Sequence, residues 1–196
     1  MKFKLYAKKF IRILLMLIYR FDWWHTSPLE NRKYAIDIIA ELNQKLERES
    51  IIELGCGLGD IVGNAKYKKR YFYDISENVL NAAKFLQFYS RSKAENSYRV
   101  FDLFRDVLSS NLKFDAIVIV NWIHGYDQIV LRKNLDKIVY NNLKERGLVI
   151  FDVINDNSAY KYNHKINDLI DKDQFKVKIL GEYPNGRSIV IAQFYY

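Results

Sequence analysis

The feature that most constrains this chain lies between residues 50 and 60. A short apolar stretch, Ser50 to Leu54, runs directly into Gly55-Cys56-Gly57-Leu58-Gly59-Asp60. Three glycines spaced two apart mark a strand that turns sharply into a helix, with backbone approaching a neighbour closely. The helix start beyond them offers unpaired N–H groups and the positive end of a dipole. Whatever fold the chain adopts must contain this strand–loop–helix corner.

The remaining pattern is compatible with it. Residues 71–75, 98–101, 114–120 and 147–154 read as further strands, and residues 61–68, 77–90 and 126–144 as helices between them. Strands alternating with helices predict parallel β-α-β units with helices on both faces. Runs such as AIVIV and LVIF have the unbroken apolarity of strands buried on both sides. Two helices precede this pattern, over residues 3–20 and 29–47; Ser27 is placed to cap the second, with Glu30 three residues on as in a capping box. The tail departs from the rhythm. Residues 175–183 and 188–194 are strand-like and joined through Pro184-Asn185-Gly186, and Asn-Gly is the strongest short hairpin signal. The expected fold is α/β: a three-layer, mostly parallel sheet with an antiparallel C-terminal hairpin, plus N-terminal helices. One globular unit is expected, with residues 1–48 as a helical lid or extension and residues 49–196 as the domain around the glycine loop.

Composition narrows the class. Hydrophobic residues make up 49%, ample for a core. Cys56 is the sole cysteine, which excludes an internal disulfide and multi-cysteine zinc sites and suits a reducing cytoplasm. No metal site is expected. The net charge of +8 is unevenly spread: Lys2, Lys4, Lys8, Lys9, Arg12 and Arg20 face Asp22 alone in the first 25 residues, a net +5. The rest of the chain is ordinary, so the charge argues for a special role of one segment rather than a nucleic-acid-binding domain. The apolar run 13–19 is shorter than the ~20 residues that span a bilayer, and no cleavage site follows it, so it reads as a retained helix. Lys4, Lys8 and Arg12 share one ridge at i, i+4 spacing. The helix either packs on the domain or presents a surface to anionic lipid or a basic lid to the site.

Three ligand classes use glycine loops at such a corner. A phosphate-binding P-loop needs GxxxxGK[ST], and the chain contains no Gly-Lys pair. A dinucleotide GxGxxG wants glycine where Asp60 stands. The form present is an acidic residue, Glu53, followed by GxGxG, and Tyr71-Phe72-Tyr73-Asp74 places a carboxylate fifteen residues past Gly59 at the end of the second strand. These motifs, in this order over residues 50–194, resemble the class I (Rossmann-like) S-adenosylmethionine-dependent methyltransferase family. Phe114-Asp115-Ala116-Ile117 resembles the opening of that family's fourth strand. Leu143 to Gly147 resembles its turn before strand five, without that turn's proline and first glycine.

The resemblance implies S-adenosylmethionine as cofactor. Glu53, Gly55, Cys56, Gly57 and Gly59 would wrap the methionine part and ribose. Asp74, beside Ile75, would bind the ribose hydroxyls, and Asp102 with Leu103 would stand near the adenine amine, Asp106 being the competing choice. Asn121 ends the fourth strand against the cofactor. Methyl transfer from a sulfonium needs alignment and water exclusion more than catalytic groups. His124, in Asn121-Trp122-Ile123-His124, is the candidate base. Trp23, Trp24 and His25, ahead of the core, and Tyr160, Tyr162 and His164, after the fifth strand, are candidates for the acceptor pocket or for packing. The fourth strand ends in NWIH rather than the Asn/Asp-Pro-Pro-aromatic motif of methyltransferases acting on base or glutamine amino groups. Cytosine-C5 chemistry would need a cysteine elsewhere than the glycine loop. The expected activity is methyl transfer to oxygen or nitrogen of a small-molecule or glycan-like acceptor, in the cytoplasm and with peripheral membrane contact through residues 1–20 open. Alternatives are an RNA or protein methyltransferase docking through the basic helix, and a cofactor-binding scaffold without turnover.

Overall fold

The computed structural model describes residues 2–45, 48–90, 92–155 and 157–195. Its strands are β1 (Ser50–Leu54), β2 (Lys69–Asp74), β3 (Glu95–Val100), β4 (Phe114–Ile119), β5 (Leu143–Ile154), β6 (Phe175–Tyr183) and β7 (Arg187–Phe194). They form one sheet in the order β3-β2-β1-β4-β5-β7-β6. Every pairing is parallel except those of β7, which runs against both β5 and β6. The expected mostly parallel sheet with a C-terminal antiparallel hairpin is therefore present. Asn185 and Gly186 turn the hairpin with φ of 69° and 70°, the left-handed conformation an Asn-Gly turn exploits.

The apolar runs bury both faces. Ile52, Ile117 and Ile119 join Leu131, Leu135 and Val139 of α5 (Gln128–Asn142) in one core. Their neighbours Ile51, Ala116 and Val118 join Ile38 and Leu42 of α2 (Lys33–Gln44) and Val62 of α3 (Asp60–Asn64) in the other. Alternate residues of a strand point to opposite faces, so continuous apolarity produces three layers. A smaller cluster, with Leu15, Leu58 and Val79, seats α1 (Lys2–Tyr19) against α4 (Glu77–Phe88).

Several local expectations are corrected. The second helix starts at Lys33, not residue 29: residues Leu29–Asn31 form a single 3-10 turn after buried Pro28, and Arg32 occupies the N-cap position. Ser27 makes no capping bond there; its carbonyl accepts from Arg12 instead, and Glu30 pairs with Lys8. The expected extension of that helix over residues 46 and 47 lies outside the described residues. The helix after the glycine loop is one turn, ending at Asn64 rather than 68. Residues 143–147 do not make a separate turn. Leu143 already pairs with Phe114, and β5 absorbs the irregularity through a register shift and a left-handed Arg146 at φ 58°. Asp115 works at the far end of the sheet, where its carboxylate accepts from the Glu49 and Ser50 amides and meets Lys144.

Candidate functional site

The strand order reverses between β1 and β4, and ligands of open α/β sheets bind outside the carboxyl ends of strands at such a switch. A cavity of about 560 Å³ opens there. One wall is the glycine loop and the end of β2: Leu54, Gly55, Asp74, Ile75 and Ser76. A second is the loop after β3, with Phe101, Asp102, Leu103 and Phe104. Val120, Asn121, Trp122 and Tyr126 follow β4, and Asp22, Trp24, His25 and Tyr160 complete the lining.

Local sequence builds the first wall. Gly55, Gly57 and Gly59 all adopt positive φ, between 54° and 70°. A Cβ on Gly55 would stand 2.3 Å from the Trp122 indole nitrogen, and one on Gly57 would stand 2.8 Å from His25 Nδ1. Both glycines therefore have conformational and steric reasons to be glycine. Gly59 faces away, against the Phe72 ring. The loop amides of Gly55 and Cys56 donate to the Tyr73 carbonyl, which ties the loop to the end of β2.

Asp74 is the pivot of this wall. One of its oxygens accepts from Gly57 N at 2.8 Å and the other from Ser76 N at 3.0 Å. These are backbone donors that fix the carboxylate and leave lone pairs for further donors. Asp102 also lines the cavity, with Oδ1 accepting from the Phe104 amide. Asp106 instead folds back to accept from Asp102 N and does not line the cavity, which separates the two candidate carboxylates.

Two expected loop contacts lie behind the wall. Glu53 is 4% exposed, and its carboxylate accepts from Val62 N in the first turn of α3. Burial pushes its pKa up to about 8, against the pull of that amide bond. Cys56 packs into the core beneath the loop, and burial pushes its thiol pKa up. Neither side chain lines the cavity.

The candidate base is likewise inside. His124 is 2% exposed; its Nε2 lies 3.1 Å from Asp152 Oδ2, and its ring packs edge-on against Tyr160. Asp152 is fully buried, is paired with Arg187, and accepts from Asn121 N. Burial raises its pKa, but the His124 hydrogen bond and the Arg187 charge outweigh that and hold it below the usual carboxylate range. Tyr160, whose hydroxyl accepts from Arg187, stands between this cluster and the cavity. His164 is also buried and bonds the Ile123 carbonyl, while Tyr162 N donates to the His124 carbonyl; neither side chain lines the cavity. The segment after β5 thus straps down the turn after β4.

The cap over the glycine loop comes from the first 32 residues. Of the tryptophan pair, Trp24 lines the cavity while Trp23 is turned away and 74% exposed. His25 packs on Gly57 and against Trp24, and burial lowers its pKa despite the nearby Asp74 carboxylate. Arg12 and Arg32 both clamp Asp60, the residue after Gly59. Burial alone would raise the Asp60 pKa; the two guanidinium groups hold it low. Sequence reasoning missed this clamp, the Asp152–Arg187 pair, and the aromatic wall of Phe104, Trp122 and Tyr126. The last had a signal: Trp122 and Tyr126 flank the end of the most apolar strand. Trp122 also donates from its indole to the Leu54 carbonyl at 2.7 Å.

No family model matches the sequence, and no curated protein matches it. Solved structures do. N-methyltransferase NodS of Bradyrhizobium japonicum WM9, in complex with S-adenosyl-L-homocysteine, superposes with a TM-score of 0.69 at 16% identity, over 94% of this chain and 97% of that one. A S-adenosylmethionine-dependent methyltransferase of Clostridium acetobutylicum matches with a TM-score of 0.64 at 18% identity, over 97% and 99% of the two chains. Magnesium protoporphyrin IX methyltransferase of Synechocystis PCC 6803, with bound S-adenosylmethionine, gives 0.66 at 16% identity, over 84% and 79%. Together with the strand order and the loop geometry, these likenesses show that the chain has the class I S-adenosylmethionine-dependent methyltransferase fold.

Proposed function

We propose that this protein is a S-adenosylmethionine-dependent methyltransferase that acts on oxygen or nitrogen of a small-molecule or glycan-like acceptor. The observation that carries this reading is Asp74: a buried carboxylate, fixed by backbone amides, at the wall of a cavity beside two glycines that admit no Cβ. The arrangement fits a nucleoside whose vicinal hydroxyls donate to the carboxylate, with Asp102 and Leu103 beside the base and Gly55, Gly57 and Asn121 beside the amino-acid part. The neighbours solved with S-adenosylmethionine or S-adenosylhomocysteine support the same choice.

The bound cofactor supplies an activated methyl group with a good leaving group already in place. The protein's own part is alignment and exclusion of water. Phe104, Trp122 and Tyr126 form an aromatic wall, with Phe104 and Tyr126 stacked at 4.2 Å between ring centres. Trp24, His25 and Tyr160 close the other side. His124 acts in this reading as a positioning residue: with Asp152 and Arg187 it holds Tyr160 and the Asn121 turn in place. An acceptor of moderate size, contacted by ring faces and few charges, suits such a pocket.

Titration calorimetry with S-adenosylmethionine, followed by an acceptor screen scoring S-adenosylhomocysteine release, tests the proposal. Binding without turnover on any acceptor would favour a cofactor-binding scaffold. Failure to bind the cofactor at all would overturn the reading. Docking of RNA through a cationic ridge has less support, because Arg12 faces inward and Lys8 is paired with Glu30.

A further inference from the structure

The helix α1 presents its faces the other way round from what its sequence suggests. Its inward face contains Arg12 and Leu15, both buried, with Met16 and Tyr19 half-buried. Its outward face is apolar: Phe10 is 61% exposed, Leu17 65% and Ile18 68%, and Tyr6, Ile11 and Leu14 are exposed beside them. These positions, with Ala7, recur at i, i+3, i+4 and i+7, a single stripe along a helix of 18 residues. The stripe continues sideways onto α4. Phe85 and Tyr89 line an apolar groove of about 440 Å³ with Ile11, Leu14 and Ile18, and Phe88 is 81% exposed next to Tyr89. Exposed apolar area of this extent on a folded domain marks an interaction surface.

Charge says what kind. The segment 2–19 contains five basic residues and no acidic one. Lys9 and Arg20 are exposed; helical geometry sets Lys9 beyond one border of the stripe and Lys8 near the other, and Arg20 directly follows the last residue of the helix. Two copies of this face brought together would add like charges at its margin, from the exposed Lys9 and Arg20 of each, which disfavours self-association. An apolar stripe edged by lysine and arginine is instead suited to acyl chains below and anionic headgroups at the sides. No described helix is long and apolar enough to cross a membrane, so the geometry is that of a helix lying in the interface. We propose that α1, together with Phe85, Phe88 and Tyr89 of the α4 end, docks this protein on an anionic lipid bilayer. The proposal is independent of the methyltransferase reading.

Co-sedimentation of the full chain with vesicles tests it, comparing phosphatidylcholine alone with phosphatidylcholine mixed with phosphatidylglycerol. Binding is expected to the mixed vesicles, at least ~10-fold stronger than to the neutral ones, and to weaken as salt is added. The Leu17→Glu/Ile18→Glu double variant should lose vesicle binding at least ~10-fold while its thermal midpoint and far-ultraviolet circular dichroism stay unchanged. Lys9→Gln should lose about fivefold. Phe88→Ser, on the other element of the surface, should also weaken binding and guards against a local defect in α1. Equal binding to both vesicle types, or none to either, would overturn the proposal. So would sedimentation-velocity evidence of a dimer that the double variant abolishes.

Discussion

Asp74 and Asp152 occupy the same edge of the sheet, on strands β2 and β5 that run the same way, and both are buried. Their surroundings make them opposites. Asp152 is neutralised from within by Arg187, bonded to His124, and spends its other oxygen on the Asn121 amide. Asp74 is met by two backbone amides from the loops that frame the cavity. A carboxylate with an internal counter-charge becomes part of the frame; one fixed by neutral donors keeps acceptor capacity for a ligand. Position at the carboxyl edge of a sheet does not by itself distinguish the two.

Asp152→Ala leaves the Arg187 charge buried without its partner and should cost about 3–5 kcal/mol of stability in urea unfolding. Cofactor affinity of the folded protein should fall modestly, through the Asn121 turn and Tyr160 that the pair holds, and far less than on loss of Asp74; a selective loss of affinity with unchanged stability would reverse the assignment. Asp74→Ala should cost less stability, about 1–3 kcal/mol for the backbone amides left without their acceptor, and far more affinity. Two charge-assisted hydrogen bonds at about 1.5–3 kcal/mol each amount to a roughly 100-fold or larger rise in the S-adenosylmethionine Kd by calorimetry.

Glu53 differs from both, being a buried carboxylate that forms no ion pair among the described residues and does not line the cavity. Its folded pKa of about 8 lies above the ordinary 4.5, so the folded state holds its proton more tightly than the unfolded chain. The stability it lends is complete below pH 4.5 and is lost as pH rises toward about 8. In thermal scans across that window Glu53 should contribute a decline on the order of 5 kcal/mol, seen as the difference between wild type and Glu53→Gln. It is set against the rise from His25, whose lowered pKa adds stability as pH increases through its titration. Asp60 and Asp152, whose pKa values are held low, contribute no slope there. The smallest effect belongs to Arg12→Met. Arg32 remains on Asp60, so the cost should be about 1 kcal/mol in unfolding, with a several-fold weaker cofactor affinity.

What could be read in advance was local. Contiguous apolar runs gave away the strands of a doubly covered sheet, and the glycine spacing with Asp74 gave away one wall of the cavity. Asn185-Gly186 announced the hairpin. What could not be read was made by pairs far apart in sequence. Arg12 and Asp60 are 48 residues apart, and Asp152 and Arg187 are 35 apart. Nothing near His124 reveals that a buried aspartate claims its ring, so a histidine at the mouth of a strand resembled a base. Helical periodicity revealed that α1 is amphipathic but not which face turns inward. Arg12 of the cationic ridge faces inward because Asp60 is there to receive it, while Lys8 pairs with Glu30 at the surface; Lys4 of that ridge has a side chain outside the described residues.

Arg12 lies on α1 and Asp60 on the first turn after the glycines, so one buried ion pair bolts an outlying helix to the rim of the glycine-loop cradle. Such a bolt transmits load in both directions. Tension that lifts the helix slackens the cradle, and a ligand that tightens the cradle draws the helix down by an equal free energy.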